Sequence, residues 1–242
     1  MHTLFRPVAA ALALAGLFAA QPALADPVYG NIYTLQHNGA YVGHISPVSI
    51  YNTPPPVGGN PTSVVAGAER MTNLTLGIAN IEAFCISIFD WLQSNHQYIY
   101  QSGATFFAGN PTPPNPGAVE ALGRLATNHL AASHASATAS GAFQMAVWEI
   151  VNEDIGNPWN VLSGDFKAIA ANGAANTLAN AWLASNATEV NHMRVDVYAT
   201  TNETPRSQSL VVFRVSEPET LALIGVGLLG LGLFTRARMR RR

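Results

Sequence analysis

Cysteine and charge are both scarce in this 242-residue sequence, and each shortage narrows the kind of protein it can be. Cys85 is the only cysteine, so no internal disulfide can form. Charged residues make up 11% of the sequence. Residues 26–216 contain Lys167 and five arginines against twelve acids, a net charge of −6. A body this acidic has no basic patch for phosphates, so we expect no nucleic-acid partner.

Motifs of common catalytic and cofactor sites are also missing. No glycine-rich phosphate loop, nucleotide fingerprint or Ser-His-Asp order is present. The seven histidines lack metal spacing, because His129 and His134, five residues apart, would lie off a shared helix face. Glu149, Glu153 and Asp154 could bind calcium, but their position favours a solvated helix end. We therefore expect no enzymatic activity, no cofactor and no metal site.

The N-terminus has the pattern of a secretory signal peptide. Arg6 precedes a short apolar run at residues 8–20, and Ala23 and Ala25 supply small residues at the −3 and −1 positions. We predict cleavage after Ala25, so that the mature chain begins at Asp26. An uncut membrane anchor is the alternative, but the run is shorter than the ~20 residues that span a bilayer.

The C-terminus has three parts in sequence order. A Glu217-Pro218-Glu219 motif is followed by an apolar run at residues 221–234 and an arginine-rich tip at residues 236–242. The run is short for a spanning helix but long enough for a thin or temporary one. Arginines directly after an apolar segment stay in the cytoplasm, so the body would lie outside and the tip inside.

This three-part tail resembles the PEP-CTERM sorting signal of Gram-negative bacteria over residues 216–242. The resemblance implies that a membrane transpeptidase-like protease, exosortase, recognises the tail and cuts near Pro218. The protein would then be exported, held briefly in the inner membrane and released to the cell surface or beyond. A single-pass anchor that is never cut is the alternative.

The body between these ends, residues 26–215, has room for one domain. Segments near both of its ends alternate apolar and polar residues and are predicted strands: 29–35, 40–45, 192–198 and 209–215. An Asn38-Gly39 hairpin turn is predicted between the first two. Three segments have helical spacing: 117–132, 142–152, for which Ser140 is the predicted cap, and 174–183. We predict an α+β fold, a single β-rich domain with a central helical insert, plus a C-terminal membrane helix.

Two short patterns in the body indicate a reactive site. Cys85 lies in Phe84-Cys85-Ile86, and Gln144, 59 residues later, begins a Gln-Met-Ala-Val-Trp run that follows Phe143. The patterns resemble those of thioester domains of bacterial surface proteins, where the cysteine also precedes the glutamine. The resemblance implies a thioester between the Cys85 sulfur and the Gln144 side-chain carbonyl.

The chemistry of such a bond requires these residue types. A thiolate can attack an amide carbonyl held against it, expel ammonia and leave a thioester. An incoming amine or hydroxyl then takes the glutamyl group and frees Cys85. Until then the bond must be shielded from water, and the predicted shielding residues are Phe84, Phe143, Met145 and Trp148. A histidine could deprotonate the attacker, with His96 and His129 as the candidates.

Two functions fit the sequence, and a third class has no support. The first is covalent adhesion or crosslinking, at the cell surface or in a biofilm matrix, to an unidentified target that bears an amine or hydroxyl. The alternative is a non-catalytic structural protein associated with exopolysaccharide, in which Cys85 is an inert buried hydrophobe. A secreted hydrolase would need a catalytic constellation that the sequence does not contain.

Overall fold

The computed structural model describes residues 26–52, 62–88, 90–109, 117–154 and 156–215. The predicted signal peptide, the predicted membrane helix and the Glu217-Pro218-Glu219 motif lie outside these residues. Among the helices that are described, none is long and apolar enough to cross a membrane.

Strands and helices alternate in blocks along the described chain. The strands are β1 (Ile32–Ala40), β2 (Ile45–Asn52), β3 (Thr62–Ala66), β4 (Glu69–Asn73), β5 (Ile78–Cys85), β6 (His96–Ser102), β7 (Phe166–Ala170), β8 (Met193–Thr200) and β9 (Leu210–Val215). The helices are α1 (Gly103–Gly109), α2 (Ala118–Ser133), α3 (Ala137–Asn152) and α4 (Gly173–Ser185).

Six strands close into an antiparallel barrel in the order β1-β4-β5-β9-β8-β6. Strands from the two ends of the body therefore meet, because β5 pairs with β9 and β6 joins β1 to β8. Four buried tyrosines from β1, β6 and β8 pack together, with ring centroids 4.9 to 6.5 Å apart: Tyr33, Tyr98, Tyr100 and Tyr198. This aromatic packing stabilises the closed barrel.

A second sheet and the helices form the rest of the core. The sheet has the order β3-β2-β7, and α3 packs against it, against β5 of the barrel and against α2 and α4. Every α3 residue from 139 to 152 is buried. A helix that is buried on all sides is surrounded by neighbouring elements, so α3 is the central element of the domain.

The predicted mixture of strands and helices is confirmed, and the predicted hairpin is wrong. β1 runs through Asn38 and Gly39, and β2 pairs with β3 and β7 instead of β1. Gly39 has a φ of +83° and marks an irregularity in the pairing of β1 with β4. Asn38 donates to Thr72 Oγ1 on β4 at 2.7 Å. The Asn-Gly pair therefore forms a bulge in a continuous strand, because β4 binds both sides of it.

The cap of α3 also differs from the prediction. The helix begins one turn earlier, at Ala137, and the Ser136 side chain accepts a hydrogen bond from the N–H of Ala139. Ser140 lies inside the helix, where its Oγ accepts a hydrogen bond from the backbone N–H of Ala68 at 2.9 Å. Ser140 thus binds α3 to the segment between β3 and β4.

Asp26, the predicted first residue of the mature chain, is held at the end of β9. Its carboxylate lies 2.7 Å from Nη1 of Arg214. Arg214 Nε in turn lies 3.6 Å from the fully buried carboxylate of Asp196, to which Tyr29 and Tyr100 donate at 2.6 Å. The start of the body is therefore tied to its last strand.

N-terminal sequencing of the secreted protein should begin at Asp26. Signal peptidase requires a small residue at the −1 position, so Ala25→Leu should block cleavage and leave residue 1 as the start. Ala20→Leu, within the apolar run, is the matched control and should be processed normally. A mature protein that begins at Met1 would contradict the cleavage site.

Candidate functional site

The structure brings Cys85 and Gln144 into contact. Cys85 is the last residue of β5, where it pairs with Leu210 of β9. Gln144 lies in the middle of α3, which packs against β5. Both residues are buried, with 6% of Cys85 and 1% of Gln144 exposed. The end of a strand thus meets the side of the central helix.

The Gln144 amide binds the backbone of Cys85 at both ends. The N–H of Cys85 donates to Gln144 Oε1 at 3.0 Å, and Gln144 Nε2 donates to the Cys85 carbonyl at 2.8 Å. Two bonds to one residue fix both the position and the rotation of the amide. The amide carbonyl is therefore held beside the residue that carries the thiol, which is the proximity that an intramolecular acyl transfer requires.

The Cys85 thiol is protonated at neutral pH in this environment. Burial raises the pKa of the thiol well above its ordinary value, and the nearby Glu69 carboxylate raises it further. The nucleophilic form is the thiolate, so a reaction at Cys85 needs a group that accepts its proton.

A cavity of about 210 Å³ opens at Cys85 and Gln144. Its walls come from β2, β3, the start of β4, the segment after β5 and α3. Trp91, on that segment, also lines the cavity and is 67% exposed, so this side is open to solvent. The polar or aromatic side chains that complete the lining near the pair include Glu69, Asp90, Trp148 and Gln208.

The four predicted shielding residues occupy two different places. Trp148 lines the cavity with only 3% of its surface exposed, and its indole N–H has no hydrogen-bond partner among the described residues. Phe84, Phe143 and Met145 are fully buried, and the Phe84 and Phe143 rings lie 4.7 Å apart between centroids. These three therefore pack in the core, while Trp148 lines the cavity one helical turn after Gln144.

The two histidines proposed as bases lie elsewhere, so that prediction is wrong. His96 lies 3.3 Å from Glu203, and His129 lies 3.0 Å from Glu189 and stacks on Trp182. Neither lines the cavity. Sequence spacing could not exclude them, because both positions depend on how β6 and α2 pack.

Glu69 is the functional candidate that the sequence reasoning missed. It begins β4, is 6% exposed and lines the cavity with Cys85. His37 Nε2 lies 2.8 Å from one carboxylate oxygen, and His44 Nε2 lies 3.0 Å from the other. The available signal was the strand alternation, since Glu69 shares the buried face of β4 with Met71 and Asn73.

Of the three acidic residues predicted to form a solvated end of α3, only Asp154 is exposed. Glu149 and Glu153 are fully buried. Glu149 accepts from the N–H of Asn160 at 2.7 Å, and Glu153 accepts from the N–H of Phe166 at 3.2 Å. Burial raises the pKa of Glu149 to about 8. Glu149 Oε1 and the Glu153 carboxylate thus hold the segment before β7 and the start of β7 against α3, while Glu149 Oε2 has no hydrogen-bond partner among the described residues.

Residues 214–242 match the PEP-CTERM protein-sorting motif. The predicted sorting signal is confirmed. The motif implies export, a transient membrane anchor, processing by exosortase and surface display. A comparison with curated proteins found no match.

Two solved structures resemble the chain at low sequence identity. One is the N-terminal thioester domain of a protein F2 like fibronectin-binding protein from Streptococcus pneumoniae, with 10% identity and a TM-score of 0.46, covering 79% of this chain and 97% of that one. The other is a cysteine-to-alanine mutant of the N-terminal thioester domain of a surface protein from Clostridium perfringens, with 12% identity and a TM-score of 0.38. This match covers 62% of this chain and 89% of that one.

Proposed function

We propose that this protein is an exported surface or extracellular-matrix protein that attaches covalently to a target through an internal thioester between Cys85 and Gln144. The observation that carries the proposal is the pair of hydrogen bonds that hold the Gln144 amide against Cys85 beside an open cavity. The protein is not an enzyme in this proposal, because each molecule reacts once and its glutamyl group stays on the target.

The hydrogen bonds between Gln144 and Cys85 do more than hold the two residues close together. They also favour formation of the thioester. When the thiolate attacks the Gln144 carbonyl carbon, negative charge develops on Oε1. The Cys85 N–H already donates to that oxygen at 3.0 Å, as a donor in an oxyanion hole would. The C–S bond forms, the C–N bond breaks and ammonia leaves through the cavity.

The surroundings of Cys85 and Gln144 suit a thioester that is shielded from bulk water but can be reached by an incoming amine or hydroxyl. Gln144 and Trp148 line the cavity with 1% and 3% of their surfaces exposed, and Trp91 lies on the side that is open to solvent. A target amine or hydroxyl would enter there, attack the thioester and release the Cys85 thiol. The sorting motif at residues 214–242 would deliver the protein to the surface, with exosortase as the processing partner.

One observation favours the alternative, a structural protein associated with exopolysaccharide. The Gln144 amide already has a backbone partner at each end, and the Cys85 thiol is buried and protonated. In this alternative the amide only fastens α3 to the end of β5, and Cys85 is inert packing. The two functions predict different masses for the mature chain.

Freshly purified wild-type protein should be lighter than its encoded mature mass by one ammonia, and it should have no titratable thiol. Methylamine should add to Gln144 and expose Cys85 in equal amounts, because one bond is opened. Peptide mapping provides an internal control, since Gln208 lines the same cavity and should stay unmodified. A full encoded mass with a free thiol and no methylamine uptake would support the inert structural role.

A further inference from the structure

We propose that Glu69 carries the proton that moves between Cys85 and Gln144 when the thioester forms, and between the attacking nucleophile and Cys85 when it opens. This inference rests on the proposed function and names the residue that makes its chemistry possible. Glu69 is buried, lines the cavity that contains both reacting side chains, and is held by two histidines.

The groups that face Glu69 leave it as the best-placed proton acceptor. His37 on β1 and His44 on the segment after β1 contact its two oxygens at 2.8 and 3.0 Å. Cys85 on β5 and Asp90 on the segment after β5 line the same cavity. Asp90 lies 3.9 Å from Arg206, and its side chain is 23% exposed against 8% for Glu69. Of these two carboxylates, it is Glu69 whose charge acts on the Cys85 thiol and raises its pKa.

The protonation states at rest suit this transfer. Burial alone would raise the pKa of Glu69, but the bonds to His37 and His44 outweigh it and lower the pKa below its ordinary value. Glu69 is therefore a carboxylate at neutral pH. The thiol of Cys85 is protonated there because its pKa is raised. An ionised base next to a protonated nucleophile is the starting state for general base catalysis.

The transfer balances without any other reactant. The Glu69 carboxylate accepts the thiol proton of Cys85, and the sulfur attacks the carbonyl carbon of Gln144. As the C–N bond breaks, the carboxyl group of Glu69 returns the proton to Nε2, which leaves as ammonia. On opening, Glu69 takes a proton from the attacking amine or hydroxyl and returns it to the departing sulfur of Cys85.

The two histidines connect this buried carboxylate to solvent. The side chain of His37 is 30% exposed and that of His44 is 22% exposed. The bond to Glu69 raises the pKa of His44, so this imidazole can hold a proton and stabilise the carboxylate. Their role is to fix the orientation of Glu69 and to keep it ionised before the thioester forms and again before it opens.

Glu69→Gln tests the inference, with Glu82→Gln as the matched control. Glu82 is on the neighbouring strand β5, lies 2.8 Å from His134 and does not line the cavity. General acid–base groups contribute about 100-fold or more to a rate, so we expect Glu69→Gln to slow bond formation by at least that factor. Freshly purified variant should then keep its full mass and a free thiol, while Glu82→Gln should lose ammonia as the wild type does.

The pH profile and a conservative variant separate proton transfer from misfolding. In Glu69→Gln the thiol must ionise without help, so ammonia loss should speed up about tenfold per pH unit, while Glu69→Asp should recover part of the wild-type rate at neutral pH. Circular dichroism should show a native fold for both variants. Ammonia loss in Glu69→Gln at the wild-type rate, or a rate independent of pH, would overturn the inference. Absence of the bond in wild type would overturn the proposed function itself.

Discussion

Cys85→Ala and Gln144→Ala should each abolish methylamine incorporation completely, and the double variant should be no worse than either single one. Each change removes one half of a single bond, so the effects cannot add. Incorporation is measured by intact mass after exposure to methylamine. Gln208→Ala is the matched control, because it removes a glutamine that lines the same cavity and leaves Cys85 and Gln144 in place.

The two variants should differ in stability although they agree in activity. Gln144→Ala leaves the buried N–H and carbonyl of Cys85 without partners, which costs about 1–3 kcal/mol of unfolding free energy for each unsatisfied group. Cys85→Ala keeps both backbone hydrogen bonds, and both variants lose the same proposed crosslink, so Gln144→Ala should be the less stable of the two by this amount. Chemical denaturation measures both. Residual methylamine uptake in either folded variant would show that methylamine reacts at a site other than the Cys85–Gln144 thioester.

Replacing both Pro218 and Glu219 by alanine should leave the protein in the inner membrane of its native host with the arginine tip attached. The match to the sorting motif at residues 214–242 includes both positions, and exosortase is expected to read them. The apolar run and the arginines would remain and hold an uncut chain in the membrane. Cell fractionation, together with the C-terminal mass of the purified protein, provides the measurement.

Thr220→Ala, directly after the motif, is the control for that experiment. It changes one side chain next to the motif but leaves Glu217, Pro218 and Glu219 in place, so release should be normal. Normal release of the Pro218→Ala, Glu219→Ala double variant would show that the processing enzyme reads another part of the tail. The covalent chemistry at Cys85 is tested separately from this outcome, because the two substitutions lie in the sorting tail and leave Cys85 and Gln144 unchanged.

The central helix shows how much of the reactive site depends on buried packing. Gly141, three residues before Gln144, has no room for a side chain, because an added Cβ would lie 3.2 Å from the Ala66 carbonyl and closer still to Ile45. Gly67, which lines the cavity, is similarly confined by the carbonyl of Gly43. The Ile45 side chain and the Ala66 carbonyl therefore lie close against α3, one turn before Gln144.

Several features could be predicted from local sequence because they depend on nearest neighbours. The sorting tail is a linear motif, and its order and spacing were sufficient to recognise it. The helices at residues 118–133 and 173–185 follow from apolar spacing, and the strands at 193–200 and 210–215 follow from alternation. The pairing of cysteine with glutamine was inferred from two short patterns 59 residues apart.

Other features could not be predicted because they depend on long-range pairing. Asn38-Gly39 has the sequence of a hairpin turn, but pairing with β4 at His37 and at Ala40 keeps β1 continuous through it. Ser140 has the chemistry of a cap, but α3 begins earlier and Ser140 binds Ala68. Local preferences amount to about 1 kcal/mol, and a ladder of backbone hydrogen bonds outweighs them.

The sequence by itself determined the sorting signal, and it was enough to propose Cys85 as a nucleophile and Gln144 as its target, since these depend on residue type and order. Only the tertiary structure decided what surrounds them. Glu69 became the proposed proton carrier, and His96 and His129 were excluded, because the closure of the barrel and the packing of α3 set which side chains share a cavity. Such neighbours are far apart in the chain, and the burial that brings them together also sets their charge.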